Sequence, residues 1–143
     1  MSMTISEREE FLAGVHVGVL SVCDGARGTL SVPIWYTYVP GGTVDVITVG
    51  KSRKGQLISR AGRFSLCAQT EVAPYKYVSV EGPTVWTQHP VDPDERRAVA
   101  RRYLGKELGD LHVKSTAAAA AGNVLFRMAP ESWLARDFSK QFR

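Results

Sequence analysis

Apolar residues alternate with polar ones along most of this chain, and each place where the alternation breaks is short. In "VHVGVLSVC", residues 15–23, Val15, Val17 and Val19 recur at period two, and "GTLSVPIWYTYVP", residues 28–40, is rich in β-branched and aromatic types. Both segments predict strands, and the turn-forming run Asp24 to Gly28 joins them as a hairpin. Pro40, Gly41 and Gly42 make the next turn. "TVDVITVG" then alternates again, with Val44, Val46 and Thr48 on one face and Asp45, Ile47 and Val49 on the other. The three segments together predict a meander. "RFSLCAQT", "YKYVSVEGPTVW" and "NVLFRMA" add further strands.

Helical spacing appears in three places. "SEREEFLAG" offers Ser6 as N-cap with Glu9 three residues on, a capping box for a short first helix. "DERRAVARRYLG" follows the turn Val91-Asp92-Pro93-Asp94, with Glu95, Arg96, Arg97, Arg101 and Arg102 expected on a solvated face. The third lies after Ser52, and Ala117 to Ala121 reads as a helix or its packed end. There is no internal repeat or linker, so 1–143 is expected to be one domain. Its predicted class is mainly β, an antiparallel barrel with a few short helices.

Composition narrows the setting. A chain of 143 residues that is 44% hydrophobic and 22% charged can bury a core without staples. Cys23 and Cys67 form no C-x-x-C pair, which argues against a disulfide framework or a zinc site. "MSMTISEREEF" lacks the apolar run of a signal peptide, and nowhere do about 18 apolar residues follow one another. A cytoplasmic protein with no membrane span and no metal is the expectation. The net charge of +4 points to an anionic partner without saying which.

The location of the cations is more specific. In "TVDVITVGKSRKGQLISRAGRF", residues 43–64, Lys51, Arg53 and Lys54 stand where a strand stops and a helix starts. At about 100° per residue, Leu57, Ile58 and Ala61 form one apolar stripe on that helix, and Lys54 falls on the same stripe. An unpaired buried ammonium is costly, so Lys54 must either reach outward or meet an anion. Ser52 is the N-cap candidate, and free amides of the first turn would face a phosphate placed there. By itself the segment leaves two readings open, a phosphate site and a solvated basic helix start.

The ordered set "GVLSV", "GTLSVPIWYTYV", "TVDVITVGKSRKGQLISRAGRFSLCAQTE" and "YVSVEGPTV", spanning Gly14 to Val85, resembles the flavin-binding split-barrel family typified by pyridoxamine 5'-phosphate oxidase. The likeness is to its short branch that uses FMN or the deazaflavin coenzyme F420. The resemblance implies a split β-barrel. It implies that Thr48, Ser52, Arg53 and Lys54 grip the cofactor phosphate, and that Val32, Pro33, Ile34 and Trp35 form the wall against which the tricyclic ring lies. Lys51, Lys76 and Tyr77 are added as cofactor-binding candidates, and Tyr75 as a second cleft-lining aromatic. The ending "ESWLARDFSKQFR" lacks the longer arginine-bearing region of pyridoxamine phosphate oxidases, which argues against vitamin B6 oxidation.

The implied activity is an oxidoreductase that transfers hydride to a small organic substrate. Lys51, Arg60, Arg63 and Lys76 exceed the needs of one phosphomonoester, which favours F420, with FMN as the alternative. No Ser-His-Asp or Cys-His set is visible, and His16, His89 and His112 are scattered, His16 being expected as a satisfied barrel residue. In the family a second subunit completes the site. A homodimer is therefore expected, with cofactor sites at the interface and Tyr75 to Tyr77 and Glu131 to Asp137, anchored by Trp133, as facing segments. A non-enzymatic basic barrel that carries a cofactor or binds single-stranded nucleic acid is the reading from another class, but for nucleic acid the cations would be spread along strands. Here they cluster at one junction.

Overall fold

The structure, a computed structural model describing residues 1–143, is an antiparallel split barrel. Its elements are α1 (Ile5–Ala13), β1 (Gly18–Val22), β2 (Leu30–Ile34), β3 (Thr37–Tyr38), β4 (Val44–Val49) and α2 (Arg53–Ala61). They continue with β5 (Arg63–Gln69), β6 (Lys76–Gln88), α3 (Pro93–Ser115), α4 (Ala117–Ala120), β7 (Asn123–Met128) and β8 (Ser132–Asp137). A short 3-10 turn, Phe138–Phe142, ends the chain. No helix is long and apolar enough to cross a membrane.

Strand order is β2-β1-β5-β6-β7-β4-β3, with β8 also on β6. The split runs along β6. Its first half pairs with β5 and with β8, and its second half, from Thr84, pairs with β7. The change occurs where the chain leaving β7 crosses β6. A Cβ on Gly82 would lie 1.8 Å from the carbonyl oxygen of Ala129, so only glycine permits the crossing.

The β1–β2 hairpin forms in the register Val19↔Pro33 and Ser21↔Ser31. The meander does not. The second predicted strand breaks at Trp35 and Tyr36, so β2 stays with β1 while β3 pairs with β4 in the other half of the barrel. The breaking agent is remote: the Tyr103 hydroxyl accepts from the Tyr36 N–H at 3.0 Å. The same oxygen is 2.9 Å from the Tyr36 carbonyl and 2.7 Å from that of His16. With its N–H bonded to that hydroxyl and its carbonyl sharing the one hydroxyl proton with His16, Tyr36 leaves the ladder.

Inner faces of both halves meet in one core. Leu20, Val22, Ile34, Val44, Val46, Leu66, Val78, Val80, Phe126 and Met128 fill it, with Leu12 of α1 and Leu57 and Ile58 of α2 closing the ends. The buried Tyr36 ring donates from its hydroxyl to the Leu12 carbonyl at 2.7 Å, and burial raises its pKa well above the usual phenol value.

Several expectations need correction. The first helix is capped two residues earlier than expected, by Thr4 and Glu7, which bond reciprocally at 2.9 and 3.1 Å. Both Thr4-x-x-Glu7 and Ser6-x-x-Glu9 fit the pattern, and Ser6 lies inside the helix. Val15, Val17 and Val19 are exposed, because β1 begins at Gly18 and presents Leu20 and Val22 inward. His16 precedes the strand rather than lying in it; its Nε2 is 3.0 Å from the Phe11 carbonyl and burial lowers its pKa. The charged face of α3 is not merely solvated: Arg102 donates to the Ala13 and Gly14 carbonyls, and Arg127 of β7 donates to Glu95 at 2.8 Å.

Candidate functional site

The basic junction is built by packing a helix end directly on a strand end. Ser52 caps α2, accepting from the Gly55 N–H at 3.2 Å and donating to the Val49 carbonyl at 2.6 Å. Gly55 allows this closeness, since a Cβ there would lie 2.4 Å from the Val49 oxygen and 2.8 Å from the Gly50 oxygen. The amides of Arg53 and Lys54, first in the helix, have no helical acceptor.

The three cations are not equivalent. Arg53 lies over Asp24, with both carboxylate oxygens 2.5 Å from one guanidinium nitrogen. Asp24 keeps only 10% of its side chain exposed, so this pair anchors the β1–β2 turn to α2. Lys51 is exposed and Lys54 half-buried, and neither has an acidic partner within 4 Å. Lys54 lies between Leu57 and Ile58 on the buried side of α2, as its spacing predicts. Ala61 is exposed, because the helix end leaves the barrel there.

Strand alternation sorts the remaining residues. Val44, Val46 and Thr48 of β4 are buried, so Thr48 faces the barrel interior. Val32 packs against the core and Ile34 belongs to it, whereas Pro33 is exposed on the opposite face. Of the four residues expected to form a wall, Pro33 and Trp35 present side chains outward, and Ile34 contributes an edge. Trp35 is not a free plane. Tyr103 stacks on it with centroids 5.0 Å apart and ring planes 4° from parallel, and His112 lies 5.3 Å away, tilted by 54°.

Pro33, Ile34 and Trp35 line an open groove of about 380 Å³ together with Val17, Ile47 and His112. From Ile47 the outer face of β4 runs two residues, about 7 Å, to Val49, on which α2 starts. The junction therefore begins one side-chain repeat beyond Ile47 on the same face of β4, although none of its residues lines the groove itself. The donor set at the junction, two free ammonium groups and two free amides, suits an anion, and the groove is apolar.

Lys76 and Tyr77 are elsewhere. Tyr77 pairs with Gln69 at one end of the β5–β6 ladder, while Arg63, next to α2, pairs with Pro83 at the other. Six residues of strand, about 20 Å, separate the two ends. Lys76 is 3.9 Å from the buried Asp137, and Tyr77 packs against Phe138 at 6.3 Å. Tyr75 is exposed beside Phe138 and Phe142. Glu131 to Asp137, expected to face a partner, supplies β8, where Trp133 lies under Arg8 at 4.5 Å and edge-on to Tyr38. Sequence reasoning missed His112 as a groove residue, since its contact with Trp35 depends on how α3 folds.

No family model and no curated protein matches the chain. Solved structures do resemble it. An F420 reductase superposes with a TM-score of 0.72 at 19% identity, covering 88% of this chain and 94% of that one. A FAD-binding protein from Mesorhizobium loti gives 0.62 at 18%, covering 93% and 94%. A putative pyridoxamine 5'-phosphate oxidase from Listeria innocua gives 0.58 at 11%, covering 92% and 94%. At these identities the likeness establishes the fold of the chain as the split barrel those proteins share.

Proposed function

We propose that the chain binds a flavin-type cofactor, coenzyme F420 in preference to FMN, and works as an oxidoreductase on a small organic molecule. The observation that carries this reading is the pair Lys51 and Lys54. They are unneutralised cations at a helix start whose amides are also free, one side-chain repeat beyond an apolar groove. A phosphate on the junction with a ring in the groove uses both features. The neighbours include an F420 reductase and a FAD-binding protein, which supports the cofactor class. The preference for F420 rests on the surplus of cations, because its tail carries more negative charge than FMN.

Once bound, such a cofactor supplies hydride transfer. The chain's part is to hold the phosphate at Lys51 and Lys54, to set the ring against Pro33 and Trp35, and to exclude water. Arg53 assists indirectly, because its bond to Asp24 fixes the helix start.

The groove is open on one side, and closing it calls for a homodimer. The outer face of the sheet is suited to one. A row Pro33–Val19–Cys67–Ser79–Leu134 runs in register across five strands, beside a row Ser31–Ser21–Ser65–Glu81–Ser132. Val19 and Leu134 are exposed, and Glu81 is the one charge in either row. A flat, small, nearly uncharged sheet face is a surface a second copy can cover. Lys76, Tyr75 and Tyr77 then reach a cofactor only from the second copy.

Separate titrations with F420 and FMN, followed by absorption and fluorescence, test the cofactor reading. Saturation near one F420 per chain with weaker FMN binding is expected, and light scattering should give twice 15.7 kDa. Failure to bind either at micromolar levels, with steeply salt-dependent oligonucleotide binding instead, would remove it.

A further inference from the structure

α3 is less a helix than a hairpin. Gly105 adopts φ 81° and ψ 172°, a conformation that side-chain-bearing residues avoid, and the chain turns back there. Arg101 then grips Asp110 at 2.7 and 2.9 Å, and Arg96 donates to the Val113 carbonyl at 2.6 Å and the Thr116 hydroxyl at 2.9 Å. Residues 93–104 and 106–115 therefore lie antiparallel. The first arm stacks Tyr103 on Trp35, and the second brings His112 to the same ring.

Between this hairpin, α4 and the sheet lies a cavity of about 230 Å³. Its walls are mainly Trp35, Ile47, Val99, Ala100, Ala119 and Ala120. Four polar residues also reach it, and two are already committed. Arg96 is bonded as above, and the Thr116 hydroxyl donates to the His112 carbonyl at 2.6 Å while accepting from Arg96. The His112 carbonyl accepts from the Ser115 and Thr116 hydroxyls, while its ring nitrogens have no protein partner. The Asn123 carbonyl bonds to His89, while its side chain has no protein partner. Trp35, Ile47 and His112 line both this cavity and the open groove, so His112 stands at the passage between them.

We propose that this cavity is the pocket for a second, small molecule, flat and largely apolar with one hydrogen-bond-accepting group, and that His112 donates to that group. A mainly apolar cavity with an unpartnered imidazole at its mouth favours that chemistry: Arg96 has no acidic partner but already donates to two neutral oxygens, the Asn123 amide is a second free polar group, and a pure hydrocarbon would use neither it nor the imidazole. Its position beside the groove makes the occupant the substrate, a role that rests on the cofactor reading above. Binding in the cavity does not.

The test uses the full chain labelled with ¹⁵N and with ¹³C-histidine, titrated with acetophenone and with ethylbenzene, which has a similar shape but no acceptor. Acetophenone should shift the His112 ring and the Ala119 and Ala120 amides saturably. Ethylbenzene should bind about three- to tenfold more weakly. His112→Phe should erase that preference and His112→Gln, which keeps a donor, should restore part of it. Ala120→Leu should weaken both ligands by filling the space. Shifts elsewhere or nowhere, or a preference that survives in His112→Phe, would overturn the proposal. F420 and FMN added to the same sample separate the two readings. Acetophenone binding without binding of either cofactor upholds the pocket and removes the oxidoreductase reading, whereas a cofactor that displaces acetophenone competitively overturns the pocket.

Discussion

The two ends of the β5–β6 ladder both carry lysines, and they use them differently. At the far end, Lys76 faces Asp137, and Lys140 donates to Glu7 and to the Ser2 carbonyl at 2.8 Å each, tying the two termini together. At the α2 end, Asp24 is taken by Arg53, and Glu81 and Glu131 lie 3.8 and 3.4 Å from Arg63, which leaves Lys51 and Lys54 without partners. Cations that are neutralised internally contribute to the fold. Cations left free at a built helix start are available to something that arrives from outside. That contrast makes the junction a site and the terminal end a clasp, and mutations should separate the two.

The largest effect is expected at Gly55. A methyl group there must push α2 off the Val49 and Gly50 carbonyls, so Gly55→Ala should lose about 1–3 kcal/mol in urea unfolding and most cofactor binding together. Undiminished affinity would mean that the close seat of the helix on the strand is irrelevant to the site.

Lys54→Ala should affect binding alone. Losing a charge-assisted contact should weaken the cofactor by about 1.5–3 kcal/mol, roughly ten- to a hundredfold, with the unfolding midpoint unchanged. Lys106→Ala, on the exposed side of the α3 hairpin, is the control and should change neither. Equal affinities for the two variants in a fluorescence titration would erase the contrast between the ends. Lys76→Ala is the intermediate case. Acting only across a dimer and already facing Asp137, it should weaken binding less than Lys54→Ala, and a monomeric preparation should show no effect at all.

The same contrast explains what could be read from the chain beforehand. The β1–β2 hairpin, β4, α2 with its Ser52 cap, β5, β6 and the start of α3 are all local: period two, period 3.6 and a capping residue encode them within about ten residues. The chain break at Tyr36 is not local, because the residue that imposes it, Tyr103, is 67 positions away. Asp24 looked like turn chemistry, and only the fold shows that it consumes Arg53, 29 positions on. The strand β8 did carry a signal, with Trp133, Ala135 and Asp137 turned inward, but a buried aspartate in an apolar series hides it. Lys76 and Lys54 look alike as letters. What distinguishes them is the end of the barrel each one occupies.

The smallest effect is expected at the clasp, and it should depend on pH. Glu7 is held down at about 2, against an ordinary 4.5, foremost by the Lys140 ammonium and then by the Thr4 N–H. Asp137 also lies below its usual range, first because the Ser139 hydroxyl donates to it. A carboxyl whose pKa falls on folding binds its proton more weakly in the folded chain, so the stability it contributes is present above the unfolded value and is lost as pH falls toward the folded one. For Glu7 that window runs from 4.5 down to about 2. Urea midpoints of the wild type should therefore fall across it. Glu7→Gln should start lower at pH 6 and converge on the wild type only as pH falls to about 2, while its cofactor affinity at pH 6 stays that of the wild type. A gap between the two midpoints that is constant with pH would mean that the ion pair to Lys140 is not what closes the termini. A loss of cofactor affinity in Glu7→Gln would show that clasp and site are not independent.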